Sequence, residues 1–298
     1  MASRAGRRGG LQHRLEAAGL RLLFFCLRRL PLERASAFGG LLLRTIGPWL
    51  PAHRVAERNL ARALPELGAA ERKRALVGMW DNLGRSVGEL PHLGDLVSDR
   101  SRVDVVDPGG VAARLRDDGK GALLLSAHFG NWELGAVAAM RAGLDQVSFY
   151  RPANNPLADA VIQELRRPLA PRGLLPKGGQ GARAALQLLR DGVHVGMLVD
   201  QKENDGIAVP FFGRPAMTTT APALLASRLG LPIAVAMVER LEGVRFRIAV
   251  TALEPATGGA PADDIAATMA RVNRVFEDHI RRRPDLWLWA HRRWKDDD

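Results

Sequence analysis

Between residues 103 and 250 the chain alternates short apolar runs with helix-patterned stretches, and this limits its possible folds more than any other feature. Residues 103–106, 122–126, 146–150, 193–199, 233–238 and 244–250 read as strands. Residues 132–141, 155–167, 181–190 and 219–229 read as helices between them. Such alternation predicts an α/β fold: a mainly parallel central sheet flanked by helices, with ligands gathering beyond the carboxyl ends of the strands. Upstream, residues 55–60 and 71–87 read as helices, and residues 263–283 read as one long final helix closed by Pro284. A length of 298 residues, 47% hydrophobic, is ample for a large core. The single cysteine, Cys26, forbids an intrachain disulfide and removes thiolate-rich zinc and iron–sulfur sites.

The net charge of +11 is unevenly placed. Residues 1–58 hold eleven Arg, no Lys and three acidic residues, a net +8, which leaves +3 for the remaining 240 residues. A basic head on a near-balanced body suits a local anionic surface better than nucleic acid. Residues 11–30 are helix-like with Pro31 as stop, a dense apolar block at Leu22–Leu27, and Arg14, Arg21 and Arg28 on one stripe. Spanning a bilayer would put Arg21 near the midplane at about 2.5–3.5 kcal/mol, a cost that lying in the interface avoids. A second apolar stretch, residues 35–48, is too short to span, and Trp49 suits an interfacial anchor. Residues 1–50 therefore read as a membrane-associating segment, monotopic or a single N-terminal anchor, and residues 51–298 as a separate domain.

The chemistry concentrates in Ser126-Ala127-His128-Phe129-Gly130-Asn131-Trp132-Glu133, where a strand hands over to a helix. His128 on the loop and Glu133 in the first helical turn are expected to meet, giving a general base held by a carboxylate. Asn131 is the expected N-cap. Backbone N–H groups of the Gly130–Trp132 turn are candidates for an oxyanion site. Arg151 suits a phosphate or acidic sugar, and Asp200 with Gln201 falls on the same sheet edge, placed to orient an acceptor. Phe211 and Phe212 read either as an acyl channel or as core packing. The His291–Lys295 cluster reads as a glycolipid-phosphate contact, an interfacial belt or a cap on the core.

No Gly-x-Ser-x-Gly, His-Glu-x-x-His, Walker or GxGxxG pattern is present. What remains asks for a base, its orienting carboxylate and an oxyanion site, which is direct transfer of an activated acyl group to an alcohol. Two rivals stand beside it. One is a thioesterase or phospholipase using Ser126. The other is a non-enzymatic basic protein that binds membranes or nucleic acid, which the near-balanced charge after residue 58 disfavours.

Five blocks, in order, resemble the lipid A biosynthesis acyltransferase family. They are Arg58-Asn59-Leu60 with Leu64-Pro65-Glu66 and residues 80–85; His-Phe-Gly-Asn-Trp-Glu at 128–133; Tyr150-Arg151-Pro152 with Asn155-Pro156-Leu157; Asp200-Gln201 with Val209–Gly213, Ala216, Thr218 and Thr219; and residues 289–295. The resemblance implies an acyl donor on acyl carrier protein or coenzyme A and a glycolipid acceptor at the cytoplasmic face of the cell inner membrane. It implies no cofactor, no metal and no nucleic acid. It also implies that His128 and Glu133 are catalytic, with Asn131, Trp132, Arg151, Asp200 and Gln201 binding substrate. The superfamily contains acyltransferases of phosphatidylinositol mannosides, so the acceptor stays open between these and a lipid A precursor.

Overall fold

The computed structural model describes the backbone of residues 4–294 and the side chains of residues 10–294. The chain opens with α1 (Arg4–Arg29) and α2 (Leu32–Ile46), separated at Pro31, which lacks the N–H a continuous helix would need. Next come α3 (Pro51–Ala63), α4 (Ala69–Glu89) and α5 (Leu93–Ser98). Then follow β1 (Val103–Val106), α6 (Val111–Asp117), β2 (Leu123–Ser126), α7 (Gly135–Arg141), β3 (Gln146–Tyr150) and α8 (Pro156–Arg166). After these lie β4 (Leu174–Pro176), α9 (Gly179–Arg190), β5 (His194–Leu198), β6 (Ile207–Phe211), β7 (Arg214–Thr218) and α10 (Ala221–Leu229). The chain ends with β8 (Ile233–Arg240), β9 (Phe246–Leu253) and α11 (Pro261–Arg282).

Seven strands form the central sheet in the order β1-β9-β8-β2-β5-β3-β4. Every pairing is parallel except β8 with β9, which are joined by a short turn. Side-chain alternation along the strands separates two cores. Leu123 and Leu125 of β2 and Ile233, Val235 and Met237 of β8 pack with α3, α4, α9, α10 and α11. The intervening Ala234 and Val238 face the cores built with α5, α6 and α7. This is the two-faced cover a parallel sheet requires.

Strands β6 and β7 form a separate antiparallel hairpin. Its turn residues, Phe212 and Gly213, have φ of 52° and 70°. Two positive φ values in a two-residue turn match the right-handed twist of the strands. Phe211 and Phe212 are buried, with their rings packed against Trp287, Trp289 and Trp294 rather than lining an open channel.

Helices α1 and α2 pack on the body through one face only. Ala17, Phe24 and Leu27 of α1 and Ala35 of α2 are buried, with Val87, Leu90, Val161 and Leu165 packed against the last three. Helix α2 crosses α4 at glycine contacts: a Cβ on Gly39 would lie 2.1 Å from the Gly84 carbonyl oxygen. The outer face stays apolar and bare. Leu11, Leu15, Leu22 and Phe25 recur at helical spacing on α1, followed by Phe38, Leu41, Leu42 and Ile46 on α2. Trp49, in the 3₁₀ turn after α2, is 87% exposed. Among the described residues no helix is long and apolar enough to cross a membrane.

Candidate functional site

His128 sits just past β2, and the sheet chooses its partner. Strands β2 and β5 run parallel with Ser126 opposite Leu198. Two residues beyond each strand end stand His128 and Asp200. The His128 Nδ1 hydrogen-bonds Asp200 Oδ1 at 2.8 Å, and the His128 backbone N–H donates to Asp200 Oδ2 at 2.9 Å. The Trp287 indole N–H donates to the same Oδ2 at 2.8 Å. Asp200 is thus a fully buried carboxylate with three donors on its two oxygens. Burial alone would raise its pKa, but the His128 imidazole, His291 and the backbone N–H outweigh that and hold it below the usual carboxylate range. With Nδ1–H donating to Asp200, a neutral imidazole presents Nε2 as its acceptor, and this edge faces Gln201, whose Nε2 lies 3.4 Å away. The His128 side chain is 18% exposed, so it is open to solvent.

The expected pairing of His128 with Glu133 is therefore replaced by a different carboxylate. Both Glu133 oxygens are held by Arg166, Nε to Oε2 at 2.7 Å and Nη2 to Oε1 at 2.5 Å. The physical reason is local: Trp132–Leu134 is a 3₁₀ turn before α7, not the first turn of one α-helix. Burial weighs against the Arg166 charge, and Glu133 more than compensates.

Asn131 and Asp200, expected to contact substrate, are both 0% exposed. Asn131 makes no side-chain cap; its amide donates to Glu89 Oε2 at 2.7 Å. Glu89 in turn receives both Arg240 Nη groups, at 2.5 and 2.9 Å, together with the Ser36 hydroxyl. Arg240 Nε donates to Asn82, and the Asn82 amide donates to the Gly130 carbonyl. A buried ionic network thus braces the His128 loop from behind. Gly130 has φ +59°, and a Cβ there would lie 1.8 Å from the Val238 oxygen, so only glycine lets the loop approach β8 this closely.

The Gly130 N–H, one of three oxyanion candidates, is already given to the Leu286 carbonyl. Leu288 N–H donates to the His128 carbonyl, and Phe129 bridges Trp287. The C-terminal segment therefore lies as a short antiparallel strip along the His128 loop. Asn59 holds that segment from the other side, through the Trp289 and His291 carbonyls. The cluster at 291–294 is a cap on the core: Arg293 is buried, bonded to Met217 and Thr218, and burial pushes its pKa down to about 10. Lys295 lies outside the described residues.

Of the other expected residues, Trp132 is half-buried with its ring centroid 5.1 Å from that of His128. Arg151, just past β3, and Gln201, just past β5, are exposed at the same sheet edge. The structure adds a residue not singled out as part of this site, His291. Its ring lies 6.3 Å from that of His128 and edge-on to Trp287, and neither ring nitrogen has a hydrogen-bond partner of ordinary geometry. Burial pushes its pKa down to about 4, so it stays neutral. Only its place in the C-terminal block pointed to it. Among the described residues no group of side chains is arranged to hold a metal ion.

The family model for bacterial lipid A biosynthesis acyltransferase matches residues 14–296. The chain is 28% identical over 250 residues to a lipid A biosynthesis palmitoleoyltransferase of Escherichia coli, covering 81% of this chain and 78% of that protein. It is 26% identical over 251 residues to the lipid A biosynthesis lauroyltransferase of the same organism, with 81% and 78% covered. A lipid A biosynthesis acyltransferase of Haemophilus influenzae is 26% identical over 273 residues, covering 85% and 84%.

Proposed function

Because the chain belongs to the bacterial lipid A biosynthesis acyltransferase family, we propose that it transfers a fatty acyl chain from an acyl thioester to a hydroxyl of a lipid A precursor, with His128 as general base. The donor is acyl carrier protein or acyl-coenzyme A. The observation that carries the reading is the Asp200–His128 bond, which leaves an accessible Nε2 lone pair at the carboxyl edge of the sheet.

In this mechanism Nε2 removes the acceptor's hydroxyl proton as that oxygen attacks the thioester carbonyl. Asp200 fixes the tautomer and stabilises the imidazolium that forms, as the carboxylate of a catalytic triad does. The tetrahedral oxyanion collapses with loss of the thiolate, which takes the proton back from His128. Because the alcohol itself is the nucleophile, no acyl-enzyme is formed. Ser126 supports this: its hydroxyl donates to the Ala236 carbonyl at 2.6 Å and does not pair with His128. Glu133 stays in the catalytic assembly through Arg166, which it holds beside the same loop. The backbone N–H groups of Asn131 and Trp132 remain the oxyanion candidates, with Trp132, Arg151 and Gln201 as acceptor contacts. The imidazole-and-carboxylate site needs no cofactor.

Membrane association follows from the bare apolar face of α1 and α2. Leucine and phenylalanine enter the acyl region of the inner membrane's cytoplasmic leaflet, while Arg14 and Arg21 meet lipid phosphates. The test is to incubate purified protein with acyl-carrier-protein and coenzyme A thioesters and a lipid A precursor, then read product masses. A gain of one acyl chain with one of these donors is expected. Release of free fatty acid instead, or an acyl adduct on Ser126, would overturn the reading in favour of a hydrolase.

A further inference from the structure

A second site lies away from His128, at the free edge of the sheet. A cavity of about 420 Å³ opens beside the first residues of β1 and β9. It is lined by Arg100, Arg102, Arg141, Arg245 and Arg247, with Asp104 as its one acidic residue. Strand β1 is three positions from β2 in the sheet, about 14 Å at the usual strand spacing. None of these residues serves the proposed acyl transfer.

The cavity wall holds donors that lack acceptors. Arg141 gives Nη1 to the Val103 carbonyl, while its Nε and Nη2 are buried with no hydrogen-bond partner. That Nε–Nη2 edge is the fork Arg166 uses to grip both oxygens of Glu133. A buried guanidinium edge without an acceptor costs stability, so the fold keeps it only at a loss unless an oxyanion fills it. Burial and the nearby Arg100 both press the Arg141 pKa down, the condition an anion would relieve.

Charge counting narrows the ligand. Arg102 is neutralised by Glu33 and Asp99, and Arg247 lies 3.6 Å from Asp104. Arg100, Arg141 and Arg245 make no ion pair among the described residues. Five guanidinium groups set against Glu33, Asp99 and Asp104 leave a net +2, which suits a dianion with several oxygens better than a single carboxylate. The Glu33 bridge also fixes the cavity beside the start of α2, next to the corner at Pro31 where the bare apolar face turns. We propose that this arginine-lined cavity binds a phosphoryl group, supplied either by free phosphate or by the phosphomonoester head of a lipid lying under the α1–α2 pair.

The test uses the full-length protein in nonionic detergent, titrated with inorganic phosphate at constant ionic strength and followed calorimetrically and by thermal shift. Phosphate should bind and raise the Tm. Arg141→Gln and the exposed double variant Arg100→Gln/Arg245→Gln should each weaken binding by about tenfold or more, whereas Arg228→Gln, on α10, should not. If Arg141→Gln fails to fold, the double variant decides. A second arm floats the protein with phosphatidylcholine vesicles, with or without phosphatidic acid. Extra binding to phosphatidic acid that is lost in the double variant and competed by phosphate identifies a lipid headgroup. Phosphate binding without that vesicle effect identifies the free ion. Absence of phosphate binding, or equal binding by wild type and both arginine variants, would overturn the site. No acyl donor is present in either arm, so failure here leaves the acyl-transfer reading standing.

Discussion

Replacing Asp200 with Asn probes the pairing at the centre of the site while changing almost no volume. The carboxylate accepts from His128 Nδ1 on one oxygen and from His128 N–H and Trp287 Nε1–H on the other. An asparagine offers one oxygen and one NH₂. Turned one way, its NH₂ faces two buried N–H donors, each left unsatisfied at about 1–3 kcal/mol. Turned the other way, its oxygen keeps those two bonds and only the NH₂–Nδ1 contact must adapt. The second orientation wins, and it forces Nδ1 to become the acceptor. The proton then moves to Nε2, and the face meant to act as a base carries a hydrogen. Turnover should fall about 10³–10⁴-fold, or about 4–5.5 kcal/mol, as when a triad loses its orienting carboxylate. The assay is initial-rate product formation by mass, alongside a melting curve. The acceptor's KM should change little and kcat should carry the loss. Turnover within about tenfold of wild type in a folded Asp200→Asn protein would refute the argument.

Three further outcomes follow from the same geometry. His291 titrates at about 4 in the fold and at about 6.5 when unfolded, so the unfolded chain binds the extra proton between these values. Its neutral form therefore contributes stability that is fully present above pH 6.5 and is lost as pH falls towards 4, on the order of 3 kcal/mol. Chemical denaturation across that range should show the slope, and His291→Gln should flatten it; an unchanged slope would contradict the assignment. Arg240→Met strands the buried Glu89 charge behind the His128 loop and should cost about 3–5 kcal/mol, read as a lower denaturation midpoint. A midpoint equal to wild type would show that the ionic network does not brace the loop. Leu22→Asp/Phe25→Asp removes two exposed apolar groups from the outer face of α1, each worth on the order of 1–2 kcal/mol on insertion. Vesicle co-sedimentation should drop at least about 30-fold with an unchanged melting temperature, and undiminished sedimentation would exclude this face as the membrane contact.

The sheet was legible because its strands are dense apolar runs, and all six expected strands overlap members of it. Strand β4 was not: it has three residues and ends at Pro176. The β6–β7 hairpin was hidden by Pro210 and Pro215, which read as strand breakers but face each other across the pair. Its available signal was Phe212-Gly213 between two alternating stretches. The helical N-terminus, its stop at Pro31 and its arginine stripe followed directly from helical periodicity. The site divided differently. His128 stood out because its loop follows a strand and carries Gly130. Its partner did not, because Glu133 is near in sequence whereas Asp200 is 72 positions away. Parallel register supplies the missing step: neighbouring strands of equal stagger bring residues two past each end side by side, which no local spacing reveals. Asn131 shows the converse, a polar residue in a reactive-looking motif that serves the buried network instead.

Acyl transfer at this site depends on the imidazole at 128 moving the proton. Wild-type and His128→Gln proteins, matched by melting temperature, can be compared in single-turnover reactions with an acyl thioester and a lipid A precursor, quenched over time and weighed by mass spectrometry. The glutamine variant should still bind both substrates but form acylated product at least about 10³-fold more slowly, with no acylated protein in either sample. Product formation at the wild-type rate by His128→Gln would contradict that role of the imidazole.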